Sequence, residues 1–198
     1  DWLSSRGLGD VYKRQKSNNI IIDSKSGYSG AGRNIHKKYN NKFLNETLSA
    51  YGLAFHRHNS EIDQELKIKT GKKVKFQFTP HLSPMFRGIL TTMYLDLKRN
   101  DSLKKIYSFL KKYYKNHKFI KILKPNTFLG TNEVINTNNC HISVCESKYK
   151  NKIIILSAID NLIKGGSGQA VQNMNILFGY KSDAVSYTHL RAHETIAN

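Results

Sequence analysis

Cysteine is scarce in this sequence, with two in 198 residues, Cys140 and Cys145. That excludes a disulfide framework and fits a reducing compartment. Acids are scarce too: 14 Asp and Glu stand against 32 Lys and Arg, a formal charge of +18. No apolar run approaches the roughly 20 residues that a bilayer span needs, and no charged-then-apolar leader opens the chain. The expectation is a soluble, cytoplasmic protein. Also missing are zinc-finger spacings, a ribonucleoprotein aromatic motif, a G-x-G-x-x-G fingerprint followed by an acid, and a Gly-Lys-Ser/Thr phosphate loop. Length and a 39% apolar share allow one medium packed domain, or one domain and part of another.

What is present in excess is lysine. Clustered Lys and Arg release counterions from phosphate backbones, so the charge invites a nucleic-acid reading. Here the lysines are scattered through "NIHKKYNNKF", "KIKTGKKVKF" and "SLKKIYSFLKKYYKNHKF" amid Asn and Ile. Compositional drift explains that distribution better than a binding groove. The alternative that remains is a basic module in which "KKYNNKF" and "KKYYKNHKF" interleave Lys with Tyr and Phe to hold single-stranded nucleic acid.

The two ends read differently from the interior. "DWLSSRGLGDVYKRQ" (1–15) and "DAVSYTHLRAHETIAN" (183–198) resemble translated adapter sequence, and neither carries an apolar periodicity into its neighbour. Their charges nearly cancel, so the basic balance belongs to the residues between.

That interior alternates strand and helix signals without a repeat. "NNIIID" is a short buried-strand candidate, followed at once by the Gly/Ser-rich "SKSGYSGAGR". Residues 34–50 are polar and ambiguous, in part helical. From an N-cap at Asn59 or Ser60, "SEIDQELKIK" sets Ile62 and Leu66 four apart and acids in the first turn, predicting a short helix that ends near Gly71. "VKFQFTPH" and "GILTTMYLDL" read as strands joined by an ordered loop, "HLSPMFR". "DSLKKIYSFLKKYYKNH" carries Leu103, Ile106, Tyr107 and Leu110 at helical spacing, capped by Asp101 or Ser102. "CHISVCES" and "KIIILSAID" make two strands about the turn "KYKN", and "GSGQAVQNMNILFGY" a final helix. The pattern predicts an α+β fold, a mixed, mostly antiparallel sheet with helices on one side.

Several stretches could carry chemistry. "SGYSGAGR" offers backbone N–H groups and Arg33 to an anion, or is only a tight turn. In "AFHRHNSEI", His56 and His58 would share one side of an extended segment. No further His, Cys or Asp cluster has ligand-like spacing, so no metal is expected. The pair is then either structural, or an acid–base group kept neutral by the positive end of the following helix. Cys140 and Cys145, five apart on a strand, face opposite sides of the sheet and read as packing residues.

Taken in order, "IIIDSKSGYSGAGR", "HRHNSEIDQEL", "FTPHLSPMFRGILTTMY" and "IDNLIKGGSGQAVQNMNILFGY" resemble the signature blocks of the N-acetyl-gamma-glutamyl-phosphate reductases. The resemblance runs over residues 17 to 182 and is to the C-terminal half of the family's chain. It implies the substrate and dimerisation domain of a glyceraldehyde-3-phosphate-dehydrogenase-like reductase over 16–163, and over 164–182 a helix returning to a nucleotide domain. It implies an NADP-dependent reduction of an acyl phosphate to a semialdehyde, in which a cysteine thiolate displaces phosphate, and a homodimer. By the same carry-over His56 is the catalytic acid–base residue. Ser26, Gly30, Gly32, Arg33, His58 and Arg87 face the substrate, N-acetyl-glutamyl phosphate; Asn161, Lys164, Gly165 and Gly166 face the NADP cofactor. Two departures matter. Ser60 stands where the family usually has proline, a mild change since serine can cap what proline preorganises. The family's glycine-rich Rossmann unit and Pro-Gly-Cys nucleophile block are missing, so these residues alone are expected to be an inactive portion of the enzyme.

Overall fold

Three consecutive isoleucines, Ile20, Ile21 and Ile22, open the strand about which the fold is built. The computed structural model describes residues 20–31, 44, 46–98 and 100–184. Among them seven strands form one sheet: β1 Ile20–Gly27, β2 Ser49–Ala50, β3 Phe76–Ser83, β4 Ile89–Asp96, β5 Ile120–Ile122, β6 Cys140–Glu146 and β7 Lys152–Ile159. Their order is β2-β3-β1-β4-β7-β6-β5. β1 with β3 and β5 with β6 run parallel; the other four neighbouring pairs are antiparallel. The expected mixed, mostly antiparallel sheet is what forms.

Helices α1 (His58–Thr70) and α2 (Leu103–Tyr113) cover one face. There Ile62, Leu66, Ile106 and Leu110 pack on Ile20, Ile22, Met93, Ile142, Val144 and Ile155. Each such side chain stabilises the fold by roughly 1.5–3 kcal/mol on burial. The opposite face is capped at one end, where Leu129 and Val134 meet Ala158, Leu90 and Leu156. At the other end Ile21 and Tyr94 remain exposed. Helix α3 (Gly168–Leu177) follows a wide π-type turn, Ile163–Ser167, kinked at Gly166.

Three readings need correction. β1 does not stop before the Gly/Ser-rich stretch but runs through Ser26 to Gly27, because both its edges are paired: Ser26 stands opposite Leu82 on β3 and Ile89 on β4. A continuous ladder on both sides outweighs the poor strand propensity of Ser and Gly. α1 begins at His58, not after Asn59 or Ser60, and Arg57 at its cap makes no side-chain bond; Asn59 and Ser60 instead bond backward to the carbonyls of Ala54 and Arg57. His56 and His58 therefore do not lie on an extended segment. The helical reading of 34–50 falls mostly outside the described residues. Elsewhere the termini agree with expectation: Gly71 closes α1 in the left-handed region, and Ser102 Oγ accepts the Lys105 N–H at α2.

The loop after β3 is pinned beneath β1, with Gly27, Tyr28 and Ser29 N–H groups donating to Gly88, Met85 and Phe86 carbonyls. Gly88 adopts φ +107°, and a Cβ there would sit 2.7 Å from Thr131. Gly88→Ala is expected to cost more than about 1 kcal/mol, read by urea unfolding.

Candidate active site

Between α1 and the ends of β1, β3, β4 and β7 lies a cavity of about 290 Å³. Each element contributes for a local reason. Alternation on β1 puts Ser24 and Ser26 on the helix-facing side with Ile20 and Ile22, and the same alternation on β3 supplies Phe78 and Pro80. Helical spacing sets His58, Glu61, Ile62 and Glu65 along α1. Tyr51 is tied to β3 by its N–H, 3.1 Å from the Pro80 carbonyl. The loop then turns through two left-handed residues, Gly52 (φ 57°) and Ala54 (φ 65°), to deliver His56 just ahead of α1. A Cβ at Gly52 would come 3.1 Å from the His56 ring.

His56 is packed on three sides by rings: His58 at 4.7 Å, Tyr51 and Phe78 each at 5.4 Å, all edge-on. Its Nδ1 accepts the His58 backbone N–H at 3.2 Å. Burial lowers the pKa of His56, helped by the charges of His58 and Arg57 and opposed by Glu61. Burial also lowers that of His58, against Glu61. Both imidazoles are thus biased toward the neutral form. The sign for stability follows: below the ordinary histidine value near 6.5 the unfolded chain takes up protons first. The fold should lose stability as pH falls from about 6.5, and both ring C–H signals should titrate below that value by proton NMR.

Four of the sequence candidates, Ser26, His56, His58 and Gly165, meet at this cavity. Gly30 lies behind it, where a Cβ would approach Asn161 Nδ2 at 3.1 Å and Ser26 Oγ at 3.7 Å. Gly32 and Arg33 lie outside the described residues. Arg87 is not at the cavity: its Nε lies 2.7 Å from Asp160 Oδ2 and its Nη1 donates to Asn136 Oδ1 at 2.6 Å. Asn161 is committed as well, accepting the Gly88 N–H at 2.7 Å and donating to Ser29 Oγ at 2.9 Å. Lys164 turns inward, 95% buried, donating to Gln172 Oε1 at 2.8 Å and lying over the Phe119 ring. Desolvation lowers its pKa, with Cys140 opposing. Gly166 is exposed beside Gly165.

Sequence reasoning missed Tyr51, Glu61 and Glu65, although Glu61 and Glu65 follow His58 at helical spacing. It also missed Asp160. That carboxylate is fully buried; Oδ1 accepts the Leu162 and Ile163 N–H groups and Oδ2 that of Asn136. An acid directly after a strand and before a helical turn is the cap signal that could have found it.

Cys140 and Cys145 behave as packing residues, on opposite sides of β6. Neither lines the cavity, and burial pushes the Cys140 thiol up, only partly offset by a hydrogen bond with Ser157 and the Lys164 charge. Of the two stretches behind the nucleic-acid alternative, "KKYNNKF" lies outside the described residues, and in "KKYYKNHKF" Tyr114 and Phe119 are 2% and 3% exposed, which leaves neither ring free to stack on a base.

The site is thus a paired-histidine cavity on a mixed sheet whose other face is partly bare. The model of the semialdehyde dehydrogenase dimerisation domain matches residues 11–161, and the chain belongs to that family. Within it the chain is similar to N-acetyl-gamma-glutamyl-phosphate reductases. That of Thermoanaerobacter pseudethanolicus is 51% identical over 83% of this chain and 48% of its own. That of Campylobacter jejuni subsp. doylei is 47% identical over 84% and 48%. The chain spans about half the length of these curated relatives. In fold it is similar to aspartate semialdehyde dehydrogenase II from Vibrio cholerae, with TM-score 0.67 at 14% identity over 89% of this chain and 60% of that one. The resemblance drawn from the four sequence blocks is borne out.

Proposed function

We propose that these residues are the substrate and dimerisation portion of an NADP-dependent N-acetyl-gamma-glutamyl-phosphate reductase, with His56 at the reacting carbon. The observation that carries this is the convergence of all four sequence blocks on one cavity, through Ser26, His56 with His58, Phe78 with Pro80 and Ile89, and Gly165. The names of the relatives supply the substrate, an acyl phosphate reduced to a semialdehyde.

Each group then has a task. Phe78, Pro80 and Ile62 give the cavity an apolar wall that excludes water and takes the uncharged part of the substrate. Tyr51 and Ser26 offer hydroxyls for orientation. His56, biased toward the neutral form and edge-packed, handles the proton demand at the carbonyl oxygen. Arg33, outside the described residues, is the sequence's candidate for the positive charge that the anionic end of the substrate requires. The nucleophile is a thiolate from outside these residues, since Cys140 is sealed in the core.

The turn beside the cavity fits the nicotinamide end of a dinucleotide. Gly165 borders the cavity and both it and Gly166 present exposed, side-chain-free backbone, on which a flat ring can lie. A reduced nicotinamide bound there supplies hydride. Asn161 and Lys164 serve from behind, as the bonds that hold this turn. The bare sheet face about Ile21 and Tyr94 supports a homodimer.

Titration with N-acetyl-L-glutamate, a stable substrate mimic, tests the reading. Methyl and ring signals of Ile62, Phe78, Tyr51 and His56 should shift together in NMR spectra of the 198-residue chain. Saturating ligand without shifts at the cavity would reject it.

A further inference from the structure

We propose that the open edge of β3 at Phe76 and Phe78 receives an extended, acid-bearing segment of another protein, added antiparallel in the row that β2 begins. This surface is separate from the catalytic cavity, and the inference does not rest on the reading above.

The edge follows from the strand pairing. Main-chain groups of alternate residues in a strand point to opposite edges. The Ile20 N–H reaches the Lys75 carbonyl at 3.3 Å, so Lys75, Gln77 and Thr79 bond toward β1, while Phe76, Phe78 and Pro80 present their groups to the other side. There β2 covers only the far end: Ser49 and Ala50 stand opposite Leu82 and His81, and the Tyr51 N–H donates to the Pro80 carbonyl at 3.1 Å. Gly52 and Ala54, both at positive φ, then turn the chain off the edge. Among the described residues the Phe76 N–H and C=O and the Phe78 N–H meet no main-chain partner, and the Phe78 carbonyl has only the Gln77 side-chain amide, at 3.5 Å. A groove of about 430 Å³ is lined by Val74, Phe76 and Phe78 from the strand side and by Ala54 and Asn59 from the loop and α1. Asn59 Nδ2 donates to the Ala54 carbonyl at 3.1 Å, whereas its Oδ1 is buried without a partner.

These atoms select the occupant. Open N–H and C=O groups at strand spacing are matched by a polypeptide main chain, which carries both donors and acceptors. Lys73 and Lys75 line the groove, are exposed and pair with no acid among the described residues, so carboxylates opposite them complete the fit. Asp63 lines the same groove, which places the partner's acids at the lysine end. A second copy of this edge would set lysine against lysine. The stretch 32–43 carries Arg33, Lys37, Lys38 and Lys42 and no acid, so like charge opposes it as well. Lysines on an edge also guard it against self-pairing, and that is their whole role if nothing acidic binds. The open part of the edge takes about four residues at ~3.3 Å each.

The test uses the ¹⁵N-labelled 198-residue chain and the blocked peptide acetyl-EVEVE-amide, beside acetyl-EPEPE-amide, which has the same charge but lacks the valine N–H groups. With the first peptide the Phe76 and Phe78 amide signals should shift downfield and their hydrogen exchange slow about tenfold near saturation; the second should leave both unchanged. The double variant Lys73→Glu, Lys75→Glu, altered only at exposed positions, should lose that protection and gain it with acetyl-KVKVK-amide. Equal effects of the valine and proline peptides would mean a general attraction of acids to a basic surface and would overturn the proposal. So would Phe76 and Phe78 amides already protected without peptide, or still unprotected at the highest soluble peptide concentration. Signals of Ser26 and Gly165, at the catalytic cavity, should stay in place, which keeps this result apart from the titration with N-acetyl-L-glutamate.

Discussion

Replacing Asp160 by asparagine should destabilise the fold by about 3–5 kcal/mol, although the change is isosteric and the carboxylate bonds to none of the residues that line the cavity. The carboxylate is completely buried, receives three backbone N–H groups and lies 2.7 Å from the Arg87 Nε. Asparagine has one acceptor oxygen for those donors, and its amide would point N–H at N–H. Arg87 would be left without its countercharge. Since Arg87 keeps 24% of its side chain exposed, water can recover part of its solvation, which puts the expected loss toward the lower end. For a chain of this size that is a fall in Tm on the order of 10 °C. Arg87→Met should cost less, because the carboxylate keeps its three N–H partners. Equal melting of Asp160→Asn and the parent chain would mean that the three segments are held by something else.

The second large effect concerns His56. In an enzyme assembled with a nucleotide-binding half, His56→Ala should lower kcat by about 100- to 10,000-fold, the usual consequence of removing a positioned acid–base group. Affinity for N-acetyl-L-glutamate should change little, because Phe78, Pro80 and Ile62 still line the cavity. A parallel loss of kcat and affinity would assign His56 to substrate binding instead. His58→Ala should be the milder variant, since the bond to Nδ1 comes from the backbone.

The strand and helix order was legible in the sequence because local rules govern it. Ser102 caps α2, Gly71 ends α1, alternating apolar residues mark β3, and a run of isoleucines marks β7. The length of β1 was not legible, since it depends on two partners more than fifty residues away in sequence. β5, three residues long, gives no periodic signal. In the site, the histidine pair and its place before a helix were visible from the sequence. The positions of Arg87 and Asn161 were not: their partners are 49 and 73 residues distant, and a lone Arg or Asn reads equally as ligand-binding or as internal fastening. Lys164 is the sharpest case. A lysine in a glycine-rich turn suggests an anion, yet its ammonium is folded under the turn against Gln172 and Phe119.

These placements make one claim testable above the others: that residues 16–182 supply the substrate half of the reductase and lack its nucleophile. The direct measurement joins them to the N-terminal half of the Thermoanaerobacter pseudethanolicus relative and follows NADPH oxidation with N-acetyl-gamma-glutamyl phosphate, beside the 198-residue chain alone. The account predicts turnover by the joined protein and none by the chain. A folded joined protein with no turnover, or a chain that oxidises NADPH unaided, would contradict it.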